Sequence, residues 1–399
     1  MSLTLALIAY LPTDAVTQGF LPAAQKLGWK VMLYTDVPEL HHKAYEGLSF
    51  KPEIIEADVF QVQSLIEAVA SHGKPDVVFS NSDHLQTQTA LLAEYFGLPG
   101  KPWKAAYRAK NKAAMRRQLE APDFYHTVLH PDQDWHTNHP YPVVLKPREG
   151  VASRHAYYIP DALTLRDRVQ QVWSEEKIPL VVEQYLTGQL YTLETLGDGE
   201  TIQVLGGFKT RLSPPPYFLE ETMEWQPDLP AEMQQQVLEQ LAKLGVGLGA
   251  CHTEFVWKDS QASLIEVNYR NIGDQCDLLL QDLLEFPLFE WVLRLHAGEK
   301  LPALEFPRKH ALVHYLFAKE DGTVTVAPEN QTFERNGTIT QFQVLSKVGS
   351  QVDGTSSKRS FLGVLRMIGP DPVVLQDTLH DLERSLEWRI ASPHPVLIS

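Results

Sequence analysis

The chain has few cysteines and no long apolar run. Its 399 residues include only Cys251 and Cys276, too few for a disulfide framework or a zinc site built from cysteines. Its apolar runs, of which Leu3–Tyr10 is an example, fall well short of the roughly 20 residues that a membrane-spanning helix needs. The first residues also lack the basic leader and small-residue cleavage site of a secretory signal. We therefore expect a cytoplasmic protein with no membrane-spanning segment.

Basic residues are also scarce relative to acidic ones. The chain has 35 Lys and Arg against 50 Asp and Glu, a formal net charge of −15. This balance disfavours binding to nucleic acid or to an anionic membrane. It does not exclude phosphate ligands, because a few lysines and a divalent cation can bind a nucleotide on an acidic protein. Function must therefore be inferred from local clusters of residues.

The length of the chain indicates two or three packed domains. In the first hundred residues, patterns of buried strands alternate with helical patterns, as in Leu3–Tyr10 followed by Gln18–Leu27. Such alternation predicts a small doubly wound parallel sheet. No Gly-x-Gly-x-x-Gly follows the first strand, which disfavours an ordinary dinucleotide-binding domain. Further along, Lys101–Leu119 is basic and helical, and strand patterns dominate from Thr192.

Two strand patterns, Cys251–Trp257 and Ser263–Arg270, predict an antiparallel hairpin with an unusual polar face. Because side chains alternate along a strand, one face is predicted to carry His252, Glu254, Val256, Leu264, Glu266, Asn268 and Arg270. A three-residue turn would place Glu254 opposite Glu266, with Cβ atoms about 5 Å apart. A two- or four-residue turn would instead pair Glu254 with Ile265.

The polar face suits a hard divalent cation. Two carboxylates at that spacing repel each other unless a cation lies between them. Carboxylate and amide oxygens favour Mg²⁺, with Mn²⁺ as an option, over zinc. We therefore predict a metal site at Glu254, Glu266 and Asn268, with Arg270 placed to neutralise charge on a transferred phosphoryl group or an acyl phosphate. Taken alone, the hairpin leaves open a solvated strand face whose charges point to water.

Lys146 lies in the strand pattern Val143–Pro147 and precedes a candidate phosphate loop. Gly150 in this loop would allow close approach of the backbone to a ligand, and the Ser153 hydroxyl could donate to phosphate oxygens. The loop is not a Walker A sequence. The alternative interpretation is a surface lysine that follows an edge strand.

Four sequence blocks, in this order, resemble the ATP-grasp superfamily of carboxylate–amine ligases. The blocks are Ala109–Arg116, Leu145–Pro147 with Gly150 and Ser153, Val181–Gly188, and Glu254 with Glu266–Arg270. Together they cover about residues 97–275. The resemblance implies an α/β chain with the ATP-grasp fold. Its parts would be an N-terminal doubly wound parallel-sheet domain at 1–100, an ATP-grasp domain at 101–300 with a lid-like subdomain at about 121–190, and a small C-terminal α+β domain at 301–399 that closes the cleft.

The resemblance also implies a role for each matching residue. The residues that would bind ATP, through its phosphates or its adenine, are Lys112, Lys146, Ser153, Glu183, Gln184 and Leu186. Glu254, Glu266 and Asn268 would hold Mg²⁺ on the ATP phosphates. Arg270 would be the catalytic residue that stabilises the acyl phosphate. Such a site needs no nucleophile from the protein, since it works by positioning and charge neutralisation.

Two segments depart from the pattern of the superfamily. Many relatives have Gly-x-Glu after the hinge, with the glutamate on the ribose, whereas this chain has Gly188-Gln189-Leu190. Ribose recognition would then come from Glu194 or Gln184, or be weaker than in those relatives. The phosphate loop also lacks the second and third glycines of its relatives. Both departures concern the nucleotide contacts, and neither removes a metal ligand.

On the substrate side, Phe208–Arg211 and the prolines that follow resemble a segment beside the active site of L-amino-acid ligases. Arg211 is predicted to pair with a substrate carboxylate, and the alternative is a surface charge on an edge strand. His252-Thr253-Glu254 matches the His-x-Glu of zinc deaminases, but the required Pro-Cys-x-x-Cys is missing. His252 is therefore predicted to be structural or to line the substrate site.

The leading prediction is an ATP- and Mg²⁺-dependent ligase that joins a small amino or keto acid to an amine, forming an amide or peptide bond. Its partners would be these small molecules, and its pathway a peptide natural-product or siderophore pathway. The alternatives are a different ATP-grasp activity, such as a carboxylase or a phosphoryl transferase, and a nucleotide-binding protein without catalysis. Members of the superfamily are often dimers, which makes a homodimer a further option.

Overall fold

The computed structural model describes residues 2–120, 124–150, 154–354 and 361–391. The chain divides into two compact units, each assembled from three stretches of sequence. The first unit comprises Met1–Ala121, Thr192–Gly206 and Leu229–Pro307. The second unit comprises Pro122–Tyr191, Gly207–Asp228 and Arg308–Ser399. The two stretches that were predicted as a lid-like subdomain and a C-terminal domain thus fall in the same unit, and the three-domain division stays a prediction.

Strands and helices alternate in the first part of the chain, and strands dominate later. The strands are β1 Thr4–Ile8, β2 Lys30–Thr35, β3 Glu53–Glu56, β4 Val77–Phe79, β5 His126–Leu129, β6 Val143–Pro147, β7 Tyr157–Ile159, β8 Leu180–Gln184, β9 Gln189–Asp198, β10 Ile202–Leu212, β11 Glu220–Gln226, β12 Leu248–Lys258, β13 Gln261–Asn268, β14 His310–Phe317, β15 Asp321–Val326, β16 Gln331–Arg335, β17 Thr338–Val344, β18 Gln351–Asp353, β19 Phe361–Gly369 and β20 Arg389–Ala391. The helices are α1 Leu21–Lys26, α2 Pro38–Ala44, α3 Val62–Ser71, α4 Gln86–Phe96, α5 Trp103–Lys110, α6 Lys112–Leu119, α7 Ala162–Glu175, α8 Ala231–Leu244, α9 Cys276–Leu284, α10 Leu288–His296 and α11 Pro372–Ser385. A π-helical segment, Ala15–Phe20, precedes α1, and a 3-10 turn, Asp83–Leu85, precedes α4.

The first unit contains the parallel sheet that the alternating pattern predicted. Its strand order is β3-β2-β1-β4, and every pairing in it is parallel. Four of the five residues of β1 are buried, as expected for a strand covered on both faces. Strand β3, Glu53–Glu56, was not predicted, because this edge strand has an exposed residue at each end and no buried side chain.

The basic stretch Lys101–Leu119 forms two helices, not one. Asn111 separates them, since its backbone is extended and its side chain accepts a hydrogen bond from the Ala114 N–H at 2.9 Å. An asparagine at this position caps the first turn of α6 and satisfies a backbone donor that the helix leaves free. As a result, Lys110 ends α5 and Lys112 begins α6.

The first unit also contains strands that pair in the order β13-β12-β9-β10. Helix α8 packs against β13. The buried residues of α8 recur at helical spacing, which explains why the sequence located this helix well: Met233, Val237, Leu241 and Leu244. Gly245 follows in the left-handed conformation, with φ of 86°, and ends the helix.

Within its described residues, the second unit contains three antiparallel sheets. In the first, the strand order is β5-β8-β6-β7, and α7 covers it with Leu165 and Val169 in the shared core. In the second, β10-β11-β14-β19-β17-β16, the core lies under α11. The third is small, with the order β18-β15-β20. None of the helices in the described residues is both long and apolar enough to cross a bilayer.

Candidate functional site

The predicted polar hairpin exists, and its register differs from the simple expectation. The turn between β12 and β13 has two residues, Asp259 and Ser260, with φ of 49° and 58°. Positive φ at both positions is what a tight hairpin turn requires. A uniform register from this turn would pair Glu254 with Ile265. A β-bulge next to Glu254 shifts the register, so that Glu254 pairs directly with Glu266.

The bulge also changes which side chains share a face. Phe255 pairs with Leu264, and both are fully buried. The prediction that Leu264 lies on the polar face is therefore wrong, because paired residues project to the same side of a sheet. Beyond the bulge the prediction of the face holds, since His252 pairs with Asn268 just as Glu254 pairs with Glu266.

Each of the two paired glutamates, Glu254 and Glu266, lies next to a basic side chain. Lys112 Nζ lies 2.8 Å from Glu266 Oε1, and His252 Nε2 lies 3.5 Å from Glu254 Oε1. The lysine is almost fully buried, while each glutamate side chain keeps about a quarter of its surface exposed. The glutamates therefore remain accessible to a ligand even though each has a cationic neighbour.

Asn268 and Arg270 extend this face towards the end of β13. The Arg270 guanidinium donates to the Asn271 backbone oxygen at 2.6 Å and approaches Asn268 Oδ1 at 3.4 Å. Its Nε lies 3.9 Å from Asp83 Oδ1. The structure thus brings the predicted metal ligands and the predicted catalytic arginine together within one unit.

Asp83 is a site residue that the sequence interpretation missed. It also forms an ion pair with Lys110, in which both side chains are largely buried. Burial raises the pKa of the Asp83 carboxyl, but Arg270 and Lys110 outweigh burial and hold the pKa below its usual range. The run of polar residues after β4 could have indicated Asp83 as a site residue, because ligand sites lie beyond the carboxyl ends of parallel strands.

A second missed feature is the buried pair formed by His252 and Glu194. His252 Nδ1 lies 2.8 Å from Glu194 Oε1, which also accepts a hydrogen bond from Thr192 Oγ1 at 2.8 Å. Burial lowers the pKa of His252, but Glu194 and Glu254 more than compensate and raise it to about 10. His252 is therefore a cation that lies between Glu194 and Glu254. One oxygen of Glu194, Oε1, already contacts both His252 and Thr192.

Lys101 fixes the backbone that carries Arg270. Its ammonium donates to the Tyr269 backbone oxygen at 2.5 Å and to Gln86 Oε1 at 2.6 Å. Complete burial lowers the pKa of Lys101 to about 7. Because Gln86 begins α4, this lysine ties the end of β13 to the parallel-sheet part of the same unit.

In the second unit, Lys146 forms an ion pair with Glu183, with 2.8 Å between Nζ and Oε2. Lys146 is 8% exposed and Glu183 is 2% exposed. The pair follows from strand register: Glu183 is paired with Val144, and Lys146 lies two residues further along the same face of β6. The two residues that were predicted to bind nucleotide are thus neighbours.

The other predicted nucleotide residues lie around the end of β8. Gln184 is exposed, and its side-chain oxygen accepts a hydrogen bond from the Tyr125 N–H at 3.4 Å. Leu186 is half-buried just after the strand. Ser153 lies outside the described residues, so its phosphate role stays a prediction. Leu190, at the position where relatives carry a ribose-binding glutamate, is buried.

Arg211 belongs to the second unit, unlike the predicted metal ligands. Its Nε lies 3.2 Å from Glu221 Oε2, and its Nη2 donates to Thr222 Oγ1 at 2.9 Å. The side chain is two-thirds exposed. Arg211 therefore already has an anionic partner on the neighbouring strand, and its predicted pairing with a substrate carboxylate stays a prediction.

The polar hairpin face fits a hard divalent cation. Glu254, Glu266 and Asn268 offer two carboxylates and one amide oxygen on the same face of two paired strands, which are the donors that Mg²⁺ prefers. Within the described residues, no cluster of three or more His, Cys, Asp and Glu side chains could hold a metal ion. A metal on this face would thus depend on the Asn268 amide as its third protein ligand.

Comparison with known proteins defines the class of fold. Residues 139–278 match the family model described as an ATP-grasp domain. The fold is similar to that of the L-amino acid ligase from Bacillus licheniformis, with a TM-score of 0.76 and 19% identity, over 98% of this chain and 99% of that chain. It is also similar to the biotin carboxylase domain of the Hydrogenobacter thermophilus 2-oxoglutarate carboxylase, determined with MgADP, ADP and bicarbonate. There the TM-score is 0.67 and the identity 16%, over 98% of this chain and 91% of that chain.

A relative by sequence is the uncharacterized protein y4rH of Sinorhizobium fredii (strain NBRC 101917 / NGR234). It is 23% identical over 358 residues, which cover 85% of this chain and 74% of that protein. The domain match and the shared fold confirm the resemblance seen in the sequence. The chain has the ATP-grasp fold, and its residues 139–278 match an ATP-grasp domain.

Proposed function

We propose that this chain is an ATP- and Mg²⁺-dependent ligase that joins a small amino or keto acid to an amine. The observation that carries the proposal is the direct pairing of Glu254 with Glu266, beside Asn268 and Arg270. Lys112 and His252 offset part of the repulsion between these two carboxylates. Both carboxylates remain partly exposed on one face, where a metal–nucleotide complex would supply the hard cation that such oxygens favour.

In this proposal the predicted metal ligands and the predicted nucleotide-binding residues have different tasks. Glu254, Glu266 and Asn268 hold Mg²⁺, which neutralises charge on the ATP phosphates. Lys112 already contacts Glu266, and its ammonium is placed to pair with a phosphate oxygen once a metal occupies the carboxylate. The buried Lys146 and Glu183 bind the nucleotide together with Gln184 and Leu186.

The proposed reaction has two steps. A carboxylate oxygen of the acid attacks the γ-phosphorus of ATP, a new P–O bond forms, and the bond to ADP breaks. The neutral amine then attacks the acyl carbon, the C–O bond to phosphate breaks, and the amine loses a proton to give the amide. Arg270 stabilises the negative charge of the acyl phosphate, which needs a fixed guanidinium and no protein nucleophile.

The similarity in fold to an L-amino acid ligase supports an amino acid as the acid substrate. A second candidate function is carboxylation, because the similar biotin carboxylase domain was determined with bicarbonate. Both functions would use the same metal face. They differ in the co-substrates that stimulate ATP cleavage.

A pairwise panel assay tests the proposal. ADP and phosphate release would be measured with single amino or keto acids, single amines, all acid–amine pairs, and bicarbonate. We expect release to require one acid and one amine, and the joined product to be seen by mass spectrometry. Stimulation by bicarbonate in place of the acid would favour the carboxylase, and stimulation by no pair would contradict the ligase.

Matched variants connect the activity to the polar face. Glu266→Gln removes one predicted metal ligand and is expected to lower kcat/KM by at least about a hundredfold, the scale seen when a key charge-stabilising group is lost. Glu239→Gln removes the same charge from an exposed position on α8 in the same unit and should leave activity unchanged. Full activity in Glu266→Gln would refute the proposed metal site.

A further inference from the structure

The second unit contains a cleft of about 1060 Å³, and the described residues that line it include none of those predicted to bind ATP, metal or the substrate carboxylate. Its walls come from the loop Ser213–Tyr217, from β14 and the residues after it, and from the end of α11 with the residues that follow. This volume is slightly above the range of about 300–1,000 Å³ that is usual for small-molecule sites. The cleft is therefore large enough for a ligand of its own.

Aromatic side chains form much of the wall. Tyr217, Tyr315, Phe317 and Trp388 all line the cleft, alongside aliphatic residues from β14, β19 and the segment after α11. Aromatic faces attract organic cations and also bury apolar groups. This part of the wall suits a ligand with an apolar body.

The charged groups of the cleft are mainly acidic. In the described part of the chain, Glu221, Glu320 and Glu383 line it together with one ammonium, that of Lys319. Glu221 is paired with Arg211 outside the lining, at 3.2 Å. The remaining acidic charge favours a cationic ligand.

A chain of hydrogen bonds orients the Glu383 carboxylate. Arg211 Nη2 donates to Thr222 Oγ1, and this hydroxyl also lies 3.1 Å from His314 Nδ1. His314 Nε2 lies 3.1 Å from Glu383 Oε1, and this nitrogen carries a proton because a carboxylate only accepts hydrogen bonds. Burial is the largest influence on the pKa of His314 and lowers it, so the imidazole is neutral. A neutral imidazole orients Glu383 without cancelling its charge.

Trp388 supplies a second, independent indication of a ligand. Its indole Nε1 is buried and has no hydrogen-bond partner among the described residues. A buried donor without an acceptor is destabilising, and Trp388 lines this cleft. Because this nitrogen has almost no accessible surface, an acceptor on a bound molecule would reach and satisfy it once the side chains that cover it shift.

We propose that this cleft binds an organic ammonium ion that has an apolar or aromatic body and a carbonyl acceptor. In the bound state, Glu383 pairs with the ammonium, the aromatic wall covers the apolar body, and Trp388 donates to the carbonyl oxygen. Amino-acid amides and esters have this chemistry, and so does the amino end of a short peptide. The site is additional to the proposed ligase site, whose residues it does not share.

Calorimetric titration of the full-length chain tests the proposal, in buffer without ATP or Mg²⁺. The probes are L-phenylalaninamide and 3-phenylpropanamide, which is the same molecule without its ammonium group. We expect the amide with the ammonium to bind at least about tenfold more tightly, the scale of one charge-assisted contact. Equal affinity for the two probes, or no binding of L-phenylalaninamide, would overturn the proposal.

Three variants assign the contacts. Glu383→Gln should weaken binding of L-phenylalaninamide about tenfold and Trp388→Phe about threefold or more, because each removes one polar contact. Asp377→Asn removes a charge from an exposed position of the same helix and should have no effect. Because the Glu383 side chain is 39% exposed, its substitution should leave the unfolding midpoint within the range of the control. Unchanged binding in Glu383→Gln would overturn the assignment.

The role of the ligand is decided separately from its binding. During ATP turnover with a different acid and amine, mass spectrometry shows whether L-phenylalaninamide enters the product. Incorporation that is lost in Glu383→Gln identifies the cleft as the source of the reacting amine, whereas a changed rate without incorporation identifies an effector site. Binding of L-phenylalaninamide without any ATP turnover would contradict the proposed ligase and leave the assignment of the cleft intact. ATP turnover without binding of L-phenylalaninamide would support the ligase and overturn the assignment of the cleft.

Discussion

Glu254 on β12 is paired directly with Glu266 on β13, although the turn that connects these strands has only two residues. The bulge beside Glu254 is responsible, because it places Ile265 between the partners of Phe255 and Glu254. Bulges commonly redirect side chains next to active sites. Here the redirected side chain is a carboxylate, and its new neighbour is another carboxylate.

Replacing Glu254 by Gln is expected to separate metal binding from fold stability. Without Mg²⁺, loss of the like-charge contact and of the His252 contact should nearly cancel, so that the free energy of unfolding changes by less than about 1 kcal/mol. With Mg²⁺ and ATP, the wild-type chain should gain stability and Glu254→Gln should gain much less. Thermal unfolding with and without Mg²⁺–ATP measures both effects, and equal ligand-induced stabilisation of the two proteins would contradict the metal site.

The buried pair of Glu194 and His252 is expected to be important for stability. Both residues are largely inaccessible, at 3% and 6% exposure. Removal of one partner of a buried pair leaves an uncompensated charge, so Glu194→Ala should cost about 3–5 kcal/mol. Glu194→Gln keeps a hydrogen-bond acceptor and should cost less. Urea unfolding at pH 7 compares the two variants, and a loss below about 1 kcal/mol in Glu194→Ala would show that the pair does not stabilise the fold.

Lys146 and Glu183 should behave as an energetically coupled pair. Lys146→Met leaves Glu183 buried without this partner, and Glu183→Gln leaves Lys146 in the same situation. The double variant should be more stable than the sum of the single effects predicts, by about 1–3 kcal/mol. A double-mutant cycle in urea provides the measurement. Additive effects would contradict direct coupling, whatever the nucleotide affinity of the variants.

Asp277 is expected to make stability depend on pH. Burial raises the pKa of this carboxyl to about 7, with Arg270 opposing and Asp14 adding to the effect. Between about pH 4 and pH 7 the folded state therefore binds more protons than the unfolded state, and the free energy of unfolding falls as pH rises. Asp277→Asn lacks this dependence and retains the oxygen that accepts from the Leu278 N–H at 3.0 Å.

The difference between wild type and Asp277→Asn should be near zero at about pH 4 and should favour the variant by about 2–4 kcal/mol at pH 8. Urea unfolding across this pH range measures it, and the acidic end acts as an internal control. A difference that is the same at pH 4 and pH 8 would show that Asp277 titrates normally in the folded chain.

The sequence predicted those parts of the site that depend on local patterns. Alternation of side chains identified the carboxylate face of the hairpin, and the strand that carries Lys146 was located at its observed bounds. The pairing of Glu254 with Glu266 was predicted for the wrong reason, because no local pattern distinguishes a three-residue turn from a two-residue turn with a bulge. The misplacement of Leu264 has the same origin.

Contacts between distant segments could not be predicted. Glu194 meets His252, and Lys101 meets the backbone of Tyr269, only because strands and helices far apart in sequence pack together. The division of the basic stretch at Asn111 was in principle visible, since asparagine favours the N-cap position. The break was not predicted because the residues on both sides of Asn111 have a helical pattern.

Transfer of ¹⁸O from substrate to phosphate is the most direct test of the proposed ligase reaction. An acid labelled with ¹⁸O in its carboxylate would be incubated with the chain, Mg²⁺, ATP and the amine identified by the panel assay. We predict one ¹⁸O atom in each phosphate released, because the attacking carboxylate oxygen stays with the phosphoryl group when the amine displaces it. Phosphate that carries no ¹⁸O would contradict an acyl phosphate and with it the proposed function.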